Sequence, residues 1–342
     1  MHGSSDDSSN APSVFSRRQF LKGTLAAAAV SALPKSTVLS EERYGPCAFN
    51  FVYHDLCYLR LPCERRLAYS EVGDANATWF VINHHGLMSG RIDSRNFIAP
   101  LRCLPGVRLI TPDRPGIGES DPDPNCTFLT WPNYIAALTG ALGIETFSLS
   151  GISDGAPFAL AVARAMPERV AVVSLTAPVC PLELFDSKHS IPQLGAHLAE
   201  HDPLVARLLI RKYADGYLHH PERGALNHAL KHPIHYLFPS PQERALTRDN
   251  MEHTRNAVQQ GTGPVVHYIV ELGGPWSRWL PDVRTKVKIM HGTTDTFMPP
   301  STVEKLAALL PNAELRFYPG ENHGSMAVKY SADRLYAAIP PI

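Results

Sequence analysis

The chain has 342 residues, with 32 Lys+Arg against 32 Asp+Glu and a formal net charge of zero. No basic excess is present to neutralise phosphates, so nucleic-acid binding is not expected, and neither is polybasic docking on a membrane. With 44% hydrophobic and 19% charged residues, the chain can bury a large core and falls outside the disordered class. The 30 prolines and 16 histidines stand out. The prolines imply many fixed turns, whereas the histidines must be weighed singly.

Residues 1–15 are polar. Ser16-Arg17-Arg18-Gln19-Phe20-Leu21-Lys22 follows, and then a weakly apolar run from Gly23 to Leu33. This arrangement resembles a bacterial twin-arginine (Tat) export signal. The run is about half of the ~20 apolar residues a spanning helix needs, so no stable membrane span is expected. Val30-Ser31-Ala32 offers small residues for cleavage after Ala32. The resemblance implies a signal peptide over 1–32, transient engagement of the translocation machinery, and an exported protein, periplasmic or secreted. A lead-in over 33–54 comes next. All six cysteines (Cys47, Cys57, Cys63, Cys103, Cys126, Cys180) lie beyond the signal. Their pairing is left open, and their spacing contains no CxxC that would suggest a zinc or redox site.

From about residue 55 the pattern alternates. Leu56–Leu61 and Leu67–Val72 read as strands joined by a polar turn at Cys63–Arg66. Buried-type runs recur at Thr78–Asn83, Val107–Thr111, Thr146–Ser150, Val170–Leu175, Lys286–Met290 and Glu314–Tyr318. Short Val/Ile-rich runs bounded by Gly and Pro, with helical stretches between them, predict an α/β fold with a mostly parallel sheet covered on both faces. Ser301-Thr302-Val303-Glu304 has the form of a capping box, with Val303, Leu306, Ala307 and Leu310 at helical spacing. The stretch 181–275 breaks the alternation. It has no clear strand and carries several helical patterns, such as Asp202-Pro203 ahead of Leu204, Val205, Leu208 and Leu209. It reads as a helical cap inserted between core segments 55–180 and 276–342, over the strand ends where open α/β sheets bind ligands.

The sharpest signal is Gly151-Ile152-Ser153-Asp154-Gly155. It lies between a strand-like run and a helix-compatible one, the setting of a nucleophile elbow. A turn this tight leaves no room for side chains two positions either side of the serine, and it lifts Ser153 out at the top of the sheet. A hydroxyl is a poor nucleophile until a base takes its proton, and the base needs an orienting acid. In the expected chain order these are Asp295, in the loop after Met290, and His323, just past the last strand. Glu321 is the rival acid. The oxyanion of an acyl transition state needs N–H donors, assigned to the backbones of Asp154 and Leu87. His84 and His85 are expected to shape the loop that carries Leu87.

Taken together, His85-Gly86, the Asp113–Ser120 loop (DRPGIGES), the elbow and the late Asp and His resemble the α/β-hydrolase superfamily over roughly residues 55–340. The resemblance implies an eight-stranded, mostly parallel sheet flanked by helices, with a helical cap. Leu87-Met88 and the Ser89-Gly90-Arg91 order depart from the commoner form of the branch, and Asp154 stands where many relatives carry Gly or Met. An acidic group there fits the helix dipole and is expected to disfavour anionic substrates. A serine at the elbow argues against dehalogenase and epoxide hydrolase chemistry, which uses an aspartate nucleophile in this fold.

The expected activity is hydrolysis of carboxylic esters of a small neutral or apolar substrate. The same triad could instead cleave C–C bonds, lactones or amides, or transfer acyl groups, and a non-catalytic ligand binder is the remote alternative. No cofactor is expected. No metal is expected either, since His219, His220, His228, His232 and His235 lack the pattern of a zinc site. Trp276, Trp279 and Tyr268 read as ordinary core. Oligomeric state is left open.

Overall fold

The computed structural model describes residues 49–186, 191–219 and 251–340. The export signal, most of the expected lead-in, Cys47, and His220, His228, His232 and His235 lie outside the described residues. All eight predicted strands form one sheet: β1 (Phe51–Arg60), β2 (Arg66–Asp74), β3 (Trp79–His84), β4 (Val107–Pro112), β5 (Phe147–Ile152), β6 (Val170–Thr176), β7 (Lys286–Gly292) and β8 (Ala313–Tyr318). The order across it is β1-β2-β4-β3-β5-β6-β7-β8. The β1–β2 and β2–β4 pairings are antiparallel, and the remaining five are parallel. β1 begins at Phe51, within the expected lead-in, because Phe51 to His54 pair in register with Asp74 to Glu71.

The central strands read as continuous apolar runs because both faces are covered. On one side Ile82, Ile110 and Leu149 pack beneath α1 (Trp131–Ala141), α2 (Gly155–Ala165) and the later α6 (Pro300–Leu309). On the other, Val81, Val107 and Leu109 meet Phe97, Ile98 and Leu101 of the short helical stretch after β3. Leu335 and Ala338, in and just after α8 (Ser331–Ala337), join this second side. Alternate residues of one strand therefore enter different layers, as a two-residue period requires.

Between β6 and β7 every regular element among the described residues is helical. The main ones are α3 (Ile191–His201), α4 (Pro203–His219) and α5 (Gly263–Gly273), with a further helical stretch over 251–258. Leu204, Val205, Leu208 and Leu209 of α4 are exposed, so the apolar residues that announce this helix are not part of the core of the described protein. Trp276 and Tyr268 are core. The capping box at Ser301 does not form. α6 starts at Pro300 with Pro299 as its N-cap and no side-chain cap bond, while the Ser301 hydroxyl donates to Asp186. The Pro299-Pro300 pair presets the first helical φ and leaves Ser301 inside the first turn, where it cannot cap.

The sheet order places the site. The chain leaves β3 for β4 on one side and returns to β5 on the other, so β3 and β5 are neighbours at the point where the winding reverses. Asn83 pairs with Ser150 and His84 with Gly151. Loops leaving the carboxyl ends of such strands diverge and open a crevice.

The far layer is pinned by a buried ion pair. Arg334 of α8 donates to Asp93 at 3.0 Å, and Asp93 also accepts from Asn83 at 2.8 Å and Asn96 at 3.0 Å. The guanidinium lies 4.6 Å from the Phe97 ring centroid. Arg334→Ala would leave the Asp93 carboxylate buried with amide donors only, a loss expected to cost about 3–5 kcal/mol. Urea unfolding measures it, and a loss under about 1 kcal/mol would contradict this account.

Candidate active site

Four loops converge above β3, β5, β7 and β8. The elbow comes first. Ser153 sits at φ +52°, a left-handed conformation that a residue with a Cβ adopts only when its surroundings impose it. Its N–H donates to Thr176 O at 3.1 Å, and its carbonyl accepts from Val179 N at 2.9 Å, so the end of β6 holds both sides of the strained residue. A Cβ on Gly155 would lie 2.1 Å from the His84 carbonyl oxygen and 2.9 Å from that of His85. Only glycine lets α2 start this close to β3. Gly151 is less constrained, with a nearest approach of 3.1 Å.

Asp295 and His323 reach the elbow from β7 and β8. Asp295 Oδ1 accepts from the N–H groups of Phe297 and Met298, each at 2.9 Å. This Asx-type turn fixes the carboxylate. His323 opens α7 (His323–Lys329), and its position is set by a capping box in which the Asn322 side chain accepts from Ser325 N while Ser325 Oγ accepts from Asn322 N. The two loops are tied together by Thr294, whose N–H and hydroxyl both donate to Glu321 O at 2.9 Å. The rival acid Glu321 turns away from His323 to Lys329 and Tyr330.

The three predicted side chains meet in one line. Ser153 Oγ is 2.9 Å from His323 Nε2, and His323 Nδ1 is 2.8 Å from Asp295 Oδ2. The Asp295 side chain is fully buried, while that of His323 is 24% exposed. Burial works to raise the Asp295 carboxyl. The hydrogen bond and charge of His323, with the Met298 N–H, outweigh it and hold the group below the ordinary carboxylate range. Asp295 is therefore anionic at neutral pH and keeps the Nδ1 proton of His323 on its own side. In chemical terms, the line can take a proton from a serine hydroxyl and return it to a leaving group.

Gly86 faces the elbow, with the direction of its missing Cβ 3.8 Å from Ser153 Cβ. The following Leu87 is half-buried. Among the described residues, neither the Leu87 N–H nor the Asp154 N–H donates to another residue. His84 and His85 are buried. The His84 Nδ1–H donates to Ser150 O at 3.2 Å, and that of His85 to Gly86 O at 2.8 Å. The other ring nitrogen of His85 is then left to accept from Arg114 N–H at 3.4 Å.

Several partners carry no signal of their own in the sequence. The His291 Nε2–H donates to Met298 O at 2.8 Å, closing the turn that holds Asp295. The Phe297 ring packs edge-on to His323, with centroids 5.0 Å apart. Asp154 is fully buried and paired with Arg114 at 3.1 Å. Burial pushes its carboxyl up to about 6 against the pull of Arg114. The expectation that Asp154 repels anionic substrates is thereby corrected, because its charge is spent on a neighbour inside the protein. Arg114 stands in the DRPGIGES stretch, and nothing in its local sequence marks its reach to Asp154, 40 residues on.

Burial, with the Arg114 charge adding to it, pushes the His84 imidazole down to about 3. The unfolded chain takes up this proton near pH 6.5, whereas the folded chain refuses it until about 3, so folded stability falls as pH drops through that window. In His84→Asn this part of the dependence vanishes. Its stability deficit against the parent protein is expected to shrink by about 1.4 kcal/mol per pH unit between about pH 6 and 4. Urea unfolding across that range measures it, and a pH-independent deficit would refute the buried neutral imidazole.

Comparison with known proteins agrees with this architecture. A twin-arginine translocation pathway signal sequence model matches residues 14–34. A 2-hydroxy-6-oxo-6-phenylhexa-2,4-dienoate hydrolase from Burkholderia cepacia is 28% identical over 228 residues, 64% of this chain and 71% of that protein. The thermophilic esterase from Thermogutta terrifontis superposes with a TM-score of 0.57 at 19% identity, covering 84% of this chain and 96% of its own. A hydrolase from Pseudomonas aeruginosa PA01 gives 0.61 at 14% identity, covering 84% and 98%. The alpha/beta hydrolase fold model matches residues 80–330, and the chain is a member of that family of hydrolases, preceded by a twin-arginine signal.

Proposed function

We propose that the protein is a serine hydrolase acting on carboxylic esters through an acyl-enzyme. The observation that carries this reading is the unbroken line of 2.9 Å from Ser153 Oγ to His323 Nε2 and 2.8 Å from His323 Nδ1 to Asp295 Oδ2. Ser153 Oγ attacks the ester carbonyl carbon while His323 takes the hydroxyl proton, and Asp295 holds the imidazole and stabilises its charge. The tetrahedral oxyanion is received by the N–H groups of Leu87 and Asp154. Collapse expels the alcohol, which takes the proton from His323. Water then repeats the sequence on the acyl-enzyme and frees the acid.

Residues 181–275 act as a helical cap on this core. In support, α5 lies on the loop after β4, where the Tyr268 hydroxyl donates to Pro115 O at 2.8 Å. Zero net charge favours a small neutral or apolar substrate. A second reading is hydrolysis of a carbon–carbon bond. It is favoured by the Burkholderia cepacia relative, whose named substrate is an oxo acid with no ester to cleave.

Ser153→Ala is expected to abolish p-nitrophenyl ester turnover and labelling by a fluorophosphonate probe; turnover that survives this change would remove the triad assignment. A panel of esters of graded acyl length, lactones, amides and 6-oxo-dienoates then separates the readings. Ester turnover at least 10²-fold above the rest supports the first, and preference for the ketone acid supports the second.

In this proposal the protein is exported, to the periplasm or beyond the cell, and the twin-arginine signal matched over residues 14–34 supports the export. Replacing Arg17 and Arg18 by lysine is expected to leave the folded, active enzyme in the cytoplasmic fraction. Unchanged export would overturn that placement.

A further inference from the structure

Arg114 follows β4 and is 2% exposed at its side chain. It occupies a position from which both proposed oxyanion donors can be controlled. Nη1 donates to His85 O at 3.1 Å, and Nη2 donates to Gly86 O at 3.2 Å and to Asp154 Oδ2 at 3.1 Å. The guanidinium plane lies over Phe158 at 4.6 Å and Tyr268 at 5.0 Å, so it cannot swing away without losing two ring contacts. The Tyr268 hydroxyl in turn holds Pro115 O, one residue along.

The Gly86 carbonyl belongs to the same peptide unit as the Leu87 N–H. In a planar trans peptide the two point in opposite directions. Gripping the carbonyl from one side therefore sets where the N–H points on the other, and a cationic donor on the oxygen strengthens that N–H as a donor. The third contact reaches the side chain of Asp154, whose own N–H is the other proposed donor. One planar fork thus ties the loop after β3 to the residue after the nucleophile. Lysine, a single point of charge, cannot reproduce this geometry.

The geometry points to Arg114 as a positioning residue that sets the spacing and direction of the two oxyanion N–H groups, with Asp154 as its anchor. This inference rests on the acyl-enzyme reading above. Its removal acts on the transition state rather than on substrate binding.

The test uses the purified full protein with Arg114→Lys and Asp154→Asn, singly and combined, on the ester found best in the panel. It also uses a trifluoromethyl ketone of matching acyl group. Ser153 Oγ adds to that ketone carbon, its proton passes to His323, and the carbonyl oxygen becomes an alkoxide facing the two N–H groups. Arg114→Lys is expected to lower kcat by on the order of 10²-fold, as a misplaced oxyanion donor does. KM should stay within about threefold, and the ketone should bind weaker by the same factor as kcat/KM. Asp154→Asn should lower both by a smaller factor, and the double variant should be little worse than Arg114→Lys, because both act through one link.

A folded Arg114→Lys with unchanged kcat, or one that loses kcat while keeping full ketone affinity, would overturn the inference. So would single losses that multiply fully in the double variant. If Arg114→Lys is insoluble, Asp154→Asn decides alone: parallel losses in kcat and ketone affinity support the inference, and unchanged values sink it. Ser153→Ala keeps the two levels apart. Activity surviving there defeats the acyl-enzyme reading itself, whereas inactive Ser153→Ala beside a fully active Arg114→Lys defeats only the role of Arg114.

Discussion

How closely the turn after β5 can press on the end of β3 governs the whole upper side of this sheet. Gly155 stands against the His84 carbonyl at a distance that excludes any Cβ, and most of the site follows from that contact. It brings the helix N-terminus behind Ser153 into line with the loop His84–Leu87, next to a Ser153 held at positive φ. Strain of this kind costs on the order of 1–3 kcal/mol and survives only where neighbours over-determine the geometry. Here β6 and the segment just after it supply them, through Thr176 O below and Val179 N–H above. Burial of the sheet thus offsets a local conformation that would relax in an isolated peptide.

The same logic recurs on the other side of the site. Gly292 lets the loop after β7 pass against Glu321 O, where a Cβ would sit at 2.2 Å. Thr294 then ties the two loops. Asp295 and His323, 28 residues apart in the chain, are neighbours because of these backbone contacts, and their own hydrogen bond is formed between groups already in place. Such preorganisation matters for charge that develops only in a transition state, because the donors and acceptors need not move when it appears.

The fold was readable from the sequence because its evidence is local. Eight short apolar runs separated by Gly and Pro announce buried strands, and the elbow announces itself through two glycines around a serine. The late Asp and His were readable through their order and their places after strands. Other features depend on contacts across the fold. Arg114 touches His85, Gly86 and Asp154, up to 40 residues away, and no spacing rule links them. Asp154 alone reads as an exposed negative charge, and only its burial against Arg114 changes that meaning. The Ser301 capping box fails for a different reason: two prolines ahead of it decide where the helix begins. The apolar residues of α4 make a correct helix signal without stating what they face.

The histidines show why residue type alone says so little here. His84 and His85 are buried beside the Arg114 cation, where an imidazolium would be poorly solvated and repelled, and each gives its one N–H to a backbone carbonyl. His291 lies within 3.6 Å of Asp295 and still spends its N–H on Met298 O. It is buried and held below its ordinary pKa, chiefly by that burial. His323 differs in having one ring nitrogen against a hydroxyl, the other against a carboxylate, and an edge open to solvent. A proton gained at Nε2 is then compensated by Asp295, whose second oxygen is fully occupied by two N–H donors and cannot turn away. The carboxylate is fixed by the backbone, the imidazole by the carboxylate and the serine by the elbow, so the capacity to move a proton belongs to the arrangement and not to any of its three members.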